Sequence, residues 1–546
     1  MWKVLVTEKV HPSGLEELRK APDVELIEKV GMNEEELLFC VRDVDALITR
    51  SGTPIGRKVL EAAKKLKVIA RAGVGVDNID LDWASRKGVV VINAPTGNTL
   101  AATEQTFALL LAICRKLPHA FNDVSMGNWN RKAFMGMQLH GKTMLIIGFG
   151  RIGSQVAKRA KAFGMDVLAY DPYIRTTKAE ELGVKHVPEL EGALALADII
   201  TLHTPLTSET KGMINERTLR AFKKGAILIN CARGGLVDEI ACANAIREGR
   251  LRGAAFDVFS KEPPSKDNPL LAEDIRDRIV LTPHIGANTH EAQSAVSSII
   301  AKNLLAALKG EPYEHAVNLP FMEHKLSPQG RRFLALARKM GILAASIVNG
   351  APGSILFSTR GIPIEEVVEV KKYEYCSHSP YAIAALKGVL ERHLGRGISY
   401  MEAPILAQER GVYVEEASIS DSRYRYLMQL KVKSEKDEAL IQATVTEDDC
   451  KQRIIGINGY RMDFEPKGNY IIFQNHDRPG VIGKIGSYLG EKDINIANFY
   501  LGRKDGSGLA FGVLQIDGKV NKSVLEDLNA VDDFIWVNSV KFEGDQ

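Results

Sequence analysis

The sequence predicts a multidomain α/β protein. Three observations carry this reading. Short apolar runs alternate with amphipathic stretches through about the first 320 residues, a glycine-rich turn sits between a strand and a helix, and alternating apolar–polar text takes over beyond about residue 317. Length agrees, since 546 residues exceed the roughly 250–300 that one hydrophobic core organises.

The apolar runs fall at residues 4–7, 46–49, 68–70, 89–93, 144–147, 167–170, 199–202, 226–230, 254–258 and 279–282. Continuous apolar strands between helices are the pattern of parallel sheets covered on both faces, and this many imply two sheets. Residues 104–119 place Phe107, Leu110, Leu111 and Cys114 at helical spacing. We read them as the crossing from a first domain into a second, with a helix over 291–308 carrying the chain back. The expected division is residues 1–98 with 292–316, residues 99–291 inserted between them, residues 317–467, and residues 468–546. In the third part a helix over 330–349 gives way to strands such as 364–374 and 412–418. The fourth reads as a small α+β unit: strand 470–474, the Asp477-Arg478-Pro479-Gly480 turn, helix 481–489, and strands 496–501 and 509–516.

Composition excludes several classes. The 71 basic and 68 acidic side chains nearly balance, which argues against a surface built for nucleic acid. The six cysteines lack Cys-x-x-Cys spacing, and His11, His140 and His203 stand alone. Free thiols in a reducing compartment, and no metal site, are therefore expected. No apolar run approaches the ~20 residues of a membrane helix, and residues 3–7 read as a strand rather than a leader. A cytoplasmic protein that meets neither membrane nor nucleic acid is the expectation.

Residues 144–153 read strand, then Gly148-x-Gly150-x-x-Gly153, then a helix whose Ile152, Val156, Ala160 and Phe163 form one inward face. Gly148 permits the tight turn, Gly150 lets backbone approach a pyrophosphate at the positive helix end, and Gly153 allows close packing of helix on strand. The next strand ends at Asp171, 18 positions after Gly153, at the spacing of a ribose-binding acid. Its carboxylate accepts from adenosine 2′ and 3′ hydroxyls and repels a 2′-phosphate, so NAD is expected over NADP.

Three later strand ends carry Arg233, Glu262 and His284. In a doubly wound sheet the carboxyl ends of the strands open on one crevice, so three loops can deliver these side chains to one place. Oxidation of a 2-hydroxy acid removes a hydride from C2 and a proton from its hydroxyl. Histidine is the base whose titration range suits that proton, and a carboxylate orients the imidazole and favours its cation. Arginine grips the substrate carboxylate through two parallel hydrogen bonds and polarises the C2 oxygen. Taken singly, each has a structural reading: a packed histidine, a loop acid, an arginine bracing Gly234-Gly235. Their joint placement downstream of one nucleotide motif favours chemistry.

Gly148–Gly153, Asn230-Cys-Ala-Arg-Gly-Gly-Leu-Val-Asp238-Glu239, Asp257-Val-Phe and Pro283-His-Ile-Gly-Ala resemble the signatures of the D-isomer-specific 2-hydroxyacid dehydrogenases. The resemblance makes Arg233, Glu262 and His284 catalytic. It implies cofactor contacts from Gly148, Gly150, Arg151, Ile152, Gly153, Asp171, Thr204, Cys231, Ala232, Arg233, Asp257, His284, Gly286 and Ala287. Arg50-Ser-Gly-Thr53, Arg71-Ala-Gly-Val-Gly75-Val-Asp77-Asn78, Asn93-Ala-Pro95, Gly97-Asn98 and residues 129–136 are similar to the long-form branch of that family, which oxidises 3-phosphoglycerate. That branch implies substrate contacts from Arg50, Ser51, Arg71, Gly73, Arg131, Arg233 and His284, with Arg50, Arg71 and Arg131 as candidates for the phosphate. The implied architecture is a Rossmann-type NAD domain inserted in a flavodoxin-like substrate domain, then an α+β intervening domain and a ferredoxin-like ACT-type regulatory domain, in a homodimer or homotetramer. By the same resemblance Asn475, Asp477 and Asn495 contact an amino-acid effector, L-serine, although Asn475 stands where other members carry histidine or tyrosine. The rival readings are a glyoxylate or hydroxypyruvate reductase of the same family, disfavoured by residues 317–546, and a non-catalytic NAD(H)-sensing protein.

Overall fold

The structure, a computed structural model, describes residues 1–174, 176–362, 378–395, 397–420, 423–447, 450–504 and 506–542. It divides into two compact units, residues 1–79 with 92–315, and residues 80–91 with 316–546. Cys376 and the strand expected over 364–374 lie outside the described residues.

The first sheet has the order β2-β1-β3-β4-β5: β1 (Trp2–Val6), β2 (Val24–Glu28), β3 (Ala46–Thr49) and β4 (Val68–Arg71) belong to the first unit, and β5 (Val90–Ile92) falls at its boundary. The apolar runs of the sequence do not include β2, whose Val-Glu-Leu-Ile-Glu text is short and only half-buried. A second sheet contains β6 (Thr143–Ile147), β7 (Asp166–Tyr170), β8 (Lys185–His186), β9 (Ile199–Leu202), β10 (Ala226–Asn230), β11 (Leu251–Phe256) and β12 (Ile279–Leu281), ordered β12-β11-β10-β9-β6-β7-β8 with parallel pairings throughout. The order reverses at β6, and that is where an open α/β sheet makes its ligand crevice.

The connecting helix starts earlier than expected, at Thr99, and stops at Arg115. Lys116 takes a left-handed φ of 50°, and Pro118 then opens a separate helix, Leu117–Ser125. A residue in that conformation ends a helix, and proline is tolerated in the first turn of the next. The return helix is His290–Lys309, capped by the Thr289 side chain at Ala292 N and by left-handed Gly310.

The second unit holds a mostly antiparallel sheet of β13 (Pro352–Arg360), β14 (Tyr413–Ser418), β15 (Leu427–Ser434), β16 (Glu438–Val445), β17 (Gln452–Ile457) and β18 (Tyr460–Phe464). Helices Pro328–Ile347 and Pro380–Leu394 supply much of its core. A four-stranded sheet follows, β19 (Gly468–His476), β20 (Ile496–Arg503), β21 (Leu509–Ile516) and β22 (Phe534–Phe542), ordered β20-β21-β19-β22. Its residues Tyr470, Ile472, Phe511, Val513, Val540 and Phe542 join the same apolar cluster as Phe333, Met428 and Phe464, so the last two sheets share one core. Among the described residues no helix is long and apolar enough to cross a membrane, and no group of three or more potential ligands could hold a metal ion. Cys40, Cys114, Cys231, Cys242 and Cys450 are free thiols.

Candidate active site

The three motif glycines have three different physical reasons. Gly148 adopts φ +92°, and a Cβ there would come within 2.6 Å of the His203 carbonyl oxygen. At Gly153 a Cβ would run into the Gly148 carbonyl, so the helix Arg151–Ala162 seats against β6 only without one. Gly150 caps that helix, and a Cβ there would meet nothing within 4 Å, so the helix N-terminus is open to an anion. Asp171, just past β7, accepts from Phe149 N through Oδ2 at 2.8 Å and from Tyr173 N through Oδ1 at 2.9 Å. Its carboxylate is thereby pinned at the edge of the glycine loop. Thr204, after β9, packs its methyl beside Gly148. An open helix end, a close-packed glycine turn and an acid beside it suit a dinucleotide.

The candidate catalytic residues come from the ends of β10, β11 and β12. His284 Nδ1 lies 2.6 Å from Glu262 Oε2, and Glu262 Oε1 accepts from Phe259 N at 3.1 Å. Burial, the largest single influence on Glu262, opposes its ionisation; the His284 and Phe259 hydrogen bonds, with the charges of His284 and Arg233, together outweigh it and hold the carboxyl below its ordinary value. His284 itself has φ +53°, a left-handed conformation costing about 1–2 kcal/mol outside glycine. Asp257 holds the turn: buried to 1% exposure, it accepts from Ile285 N at 2.9 Å and Gly286 N at 2.7 Å, and from the Thr282 hydroxyl. Expected as a cofactor contact, Asp257 therefore also aims the imidazole. The Ala287 carbonyl accepts from Gln293 Nε2 at 2.8 Å, closing the same loop.

Asn230, fully buried at the end of β10, shapes the arginine loop. Its Nδ2 donates to Arg233 O at 2.9 Å and its Oδ1 accepts from Ala232 N at 3.0 Å. Burial and the Asp257 charge push the Cys231 thiol up, so it remains neutral. Arg233 Nε donates to Asp77 Oδ2 at 2.8 Å.

Arg71 completes a cationic group with Arg233 and Arg50. Burial first, then the charges of Arg233 and Arg50, bring its guanidinium down to about 10 against partial support from Asp77 and Glu8. Its Nε is buried without a hydrogen-bond partner. A buried, under-satisfied cation beside two others is a site shaped for an anion. Gly73, φ +154°, leaves room for this guanidinium, which a Cβ would meet head-on.

Family models match residues 107–286 as the NAD binding domain of D-isomer specific 2-hydroxyacid dehydrogenases, residues 331–458 as the D-3-phosphoglycerate dehydrogenase intervening domain, and residues 469–533 as an ACT domain. The chain is 42% identical over 536 residues, 98% of each chain, to a D-3-phosphoglycerate dehydrogenase of Archaeoglobus fulgidus. It is 40% identical over 531 residues, 97% of this chain and 98% of the other, to one of Methanocaldococcus jannaschii. The chain belongs to the D-3-phosphoglycerate dehydrogenase family. A solved D-lactate dehydrogenase from Aquifex aeolicus, complexed with NAD and lactic acid, aligns over 56% of this chain and 96% of its own, with a TM-score of 0.51 at 30% identity. As a member of this family the protein is an NAD-dependent oxidoreductase.

Some of the residues expected at the site of this D-3-phosphoglycerate dehydrogenase family member lie apart from the group. Arg131 opens an exposed turn, Arg131–Phe134, and is not hydrogen-bonded to Arg50, Arg71 or Arg233 among the described residues. The preceding helix Leu117–Ser125 buries none of its residues, so nothing draws that segment inward within one chain. Arg50 Nη1 donates to Lys9 O at 3.3 Å and lines a cavity of about 400 Å³ with Lys9, Gly31 and Thr53; Ser51 is exposed. The effector candidates do not converge either. Asn475 is buried with Oδ1 unpartnered, Asp477 pairs with Arg503 Nε at 3.2 Å, and Asn495 donates to Asp517 Oδ2 at 2.7 Å.

Two acids that the sequence does not single out organise this site. Glu8, just beyond β1, accepts from Arg50 N and Thr53 N at 2.9 Å each and from Gly52 N at 3.1 Å, gathering the whole Arg50–Thr53 turn. Glu239 accepts from Ser260 N and from Asn268 Nδ2 at 2.8 Å, bracing the loop that carries Glu262. The signal for Glu8 is an acid at a carboxyl strand end; Glu239 stands inside a motif whose other residues have tasks.

Proposed function

We propose that this protein oxidises 3-phospho-D-glycerate to 3-phosphooxypyruvate with NAD, the first step of L-serine biosynthesis. The observation that carries the reading is the convergence of Arg233, Arg71 and Arg50 beside a carboxylate–imidazole pair. A substrate with a carboxylate at one end and a phosphate at the other needs two cationic grips around its central alcohol, and arginine suits both. Glu262 occupies Nδ1 of His284, so the lone pair on Nε2 faces the alcohol and takes its proton as C2 becomes a carbonyl. Glu262 stabilises the imidazolium that results. Gly148–Gly153, Asp171 and the neighbouring strand ends hold the nicotinamide dinucleotide, which when bound accepts the hydride from C2. Arg233 holds the carboxylate and polarises the C2 oxygen; Arg71 and Arg50 hold the phosphate.

The four-part division at residues 98, 292, 317 and 468 belongs to this proposal and is supported by one sheet in each part. So does a homodimer. Phe121, Val124, Met126, Trp129 and Met135 are 54–78% exposed in one continuous segment, a patch of the kind a second subunit covers, and Arg131 stands within it. The ACT-type domain is proposed to bind L-serine and the protein to act in the cytoplasm, where its free thiols stay reduced.

A substrate panel with purified protein, with and without L-serine, tests the reading. We expect kcat/KM on 3-phosphoglycerate to exceed that on glycolate and D-glycerate by about a hundredfold, from one charge-assisted grip worth roughly 1.5–3 kcal/mol. Comparable turnover of the unphosphorylated acids makes it a general 2-hydroxyacid dehydrogenase. NADH binding without turnover of any 2-hydroxy acid makes it a sensor.

A further inference from the structure

Arg233 is the carboxylate grip on the reading above, and the inference here rests on that assignment. A guanidinium does this work only if it presents the right edge. Arg233 has five N–H groups in a fixed fork; two are engaged by the protein, Nε with Asp77 Oδ2 at 2.8 Å and Nη1 with its own neighbour's carbonyl, Ala232 O, at 2.8 Å. Its Nη2 lies over Gly75, where a Cβ would collide with it, and the same Cβ would approach Asp77 Oδ2 to 2.8 Å. A glycine at 75 therefore leaves the space that the guanidinium occupies, and Asp77 accepts from its Nε.

The origin of the two partners matters. Asp77 stands in the loop after β4 of the first sheet, and Arg233 in the loop after β10 of the second, 156 positions away in the chain. The pair forms where the carboxyl ends of the two sheets meet. Asp77 also faces Arg71, whose charge it supports. Its carboxylate is half-exposed while the Arg233 side chain is more enclosed, at 52% and 27%. An ion pair this open contributes little to stability, so a role confined to holding the fold together does not account for it.

We propose that Asp77 is a positioning residue for hydride transfer: it fixes Arg233 by Nε, so that the Nη end meets the substrate carboxylate and the C2 oxygen. This separates it from a simple counter-charge. Loss of a counter-charge strengthens attraction for an anionic substrate and moves KM. Loss of a positioning contact leaves the cationic pocket in place and slows the step in which charge builds on the C2 oxygen.

The test is Asp77→Ala in the full-length enzyme, which leaves Arg233 Nε without its side-chain acceptor, whereas Asp77→Asn would keep one; single-turnover formation of NADH is followed by absorbance alongside steady-state kinetics. We expect the hydride-transfer rate to fall at least tenfold, KM for 3-phosphoglycerate to stay within about threefold, and NADH affinity to be unchanged. A larger primary isotope effect with substrate deuterated at C2 should accompany the slower step. Asp77→Glu should recover part of the rate. In an Arg233→Lys background, which lacks Nε, Asp77→Ala should cost less than about twofold. The proposal is overturned by an unchanged single-turnover rate, by a change confined to KM, or by equal cost in both backgrounds. A wild-type enzyme that turns over no 2-hydroxy acid would instead defeat the functional reading beneath it.

Discussion

Replacing Arg71 by methionine should make the ligand-free protein more heat-stable and a poorer enzyme. The guanidinium is brought down to about 10, chiefly by burial and then by Arg233. A depression of that size corresponds to about 3 kcal/mol. At neutral pH the group is charged in both folded and unfolded chains, so the folded state bears that cost in full; it is relieved only as pH rises past about 10. Methionine fills similar space without charge. After allowance for lost packing, a gain of about 1–2 kcal/mol is expected, or a few degrees in the melting temperature of the ligand-free protein. The same change removes a charge-assisted grip worth about 1.5–3 kcal/mol on a phosphate, so KM for 3-phosphoglycerate should rise roughly 10–100-fold with kcat nearly preserved. D-Glycerate, which lacks the phosphate, should be affected far less. Calorimetry of the ligand-free variant and kinetics on both acids decide the matter. A lower melting temperature refutes the stored repulsion, and an equal loss on D-glycerate places Arg71 at the wrong end of the substrate.

The remaining expectations concern the other site groups. His284→Ala should lower kcat by about 10²–10⁴-fold while NADH binding, read by fluorescence, survives; near-normal turnover removes the imidazole from the mechanism. Asp171→Ala should weaken NAD and narrow its advantage over NADP by about tenfold, since both ribose acceptance and repulsion of a 2′-phosphate go with the carboxylate; an unchanged preference rejects that assignment. Glu262, held below its ordinary range, contributes stability that is complete above about 4.5 and is lost as pH falls through its folded value. Melting curves of the native protein and Glu262→Gln should therefore differ at about pH 6 and converge as the medium becomes more acid; a gap that widens toward low pH contradicts the shift.

What the sequence made legible was local. Gly148 answers to the strand end beside it and Gly153 to its own turn, while Gly150 faces open space, so all three could be given their tasks from spacing alone. Arg233, Glu262 and His284 were legible because strand ends in a parallel sheet open on one side. Glu8, Asp77 and Glu239 were not, because their partners lie 21 to 156 positions away and no periodicity connects them. The meander β15–β18 was under-read although its text alternates, as in β18, where every second residue of Tyr460–Phe464 is buried; which strand pairs with which is settled between neighbouring strands and not within one. Arg131 was a candidate by resemblance alone, and it stands in an exposed turn without a hydrogen bond to Arg50, Arg71 or Arg233 among the described residues.

The shared interior of the last two sheets has a mechanical consequence. Tyr470, Phe511 and Phe542 interlock with Phe464 and Phe333 in one apolar body, so the C-terminal module is not a bead on a string that can be clipped away. Strands from both sheets should lose amide protection together. Any ligand that alters the twist of β19 is then felt in the neighbouring sheet without a hinge in between.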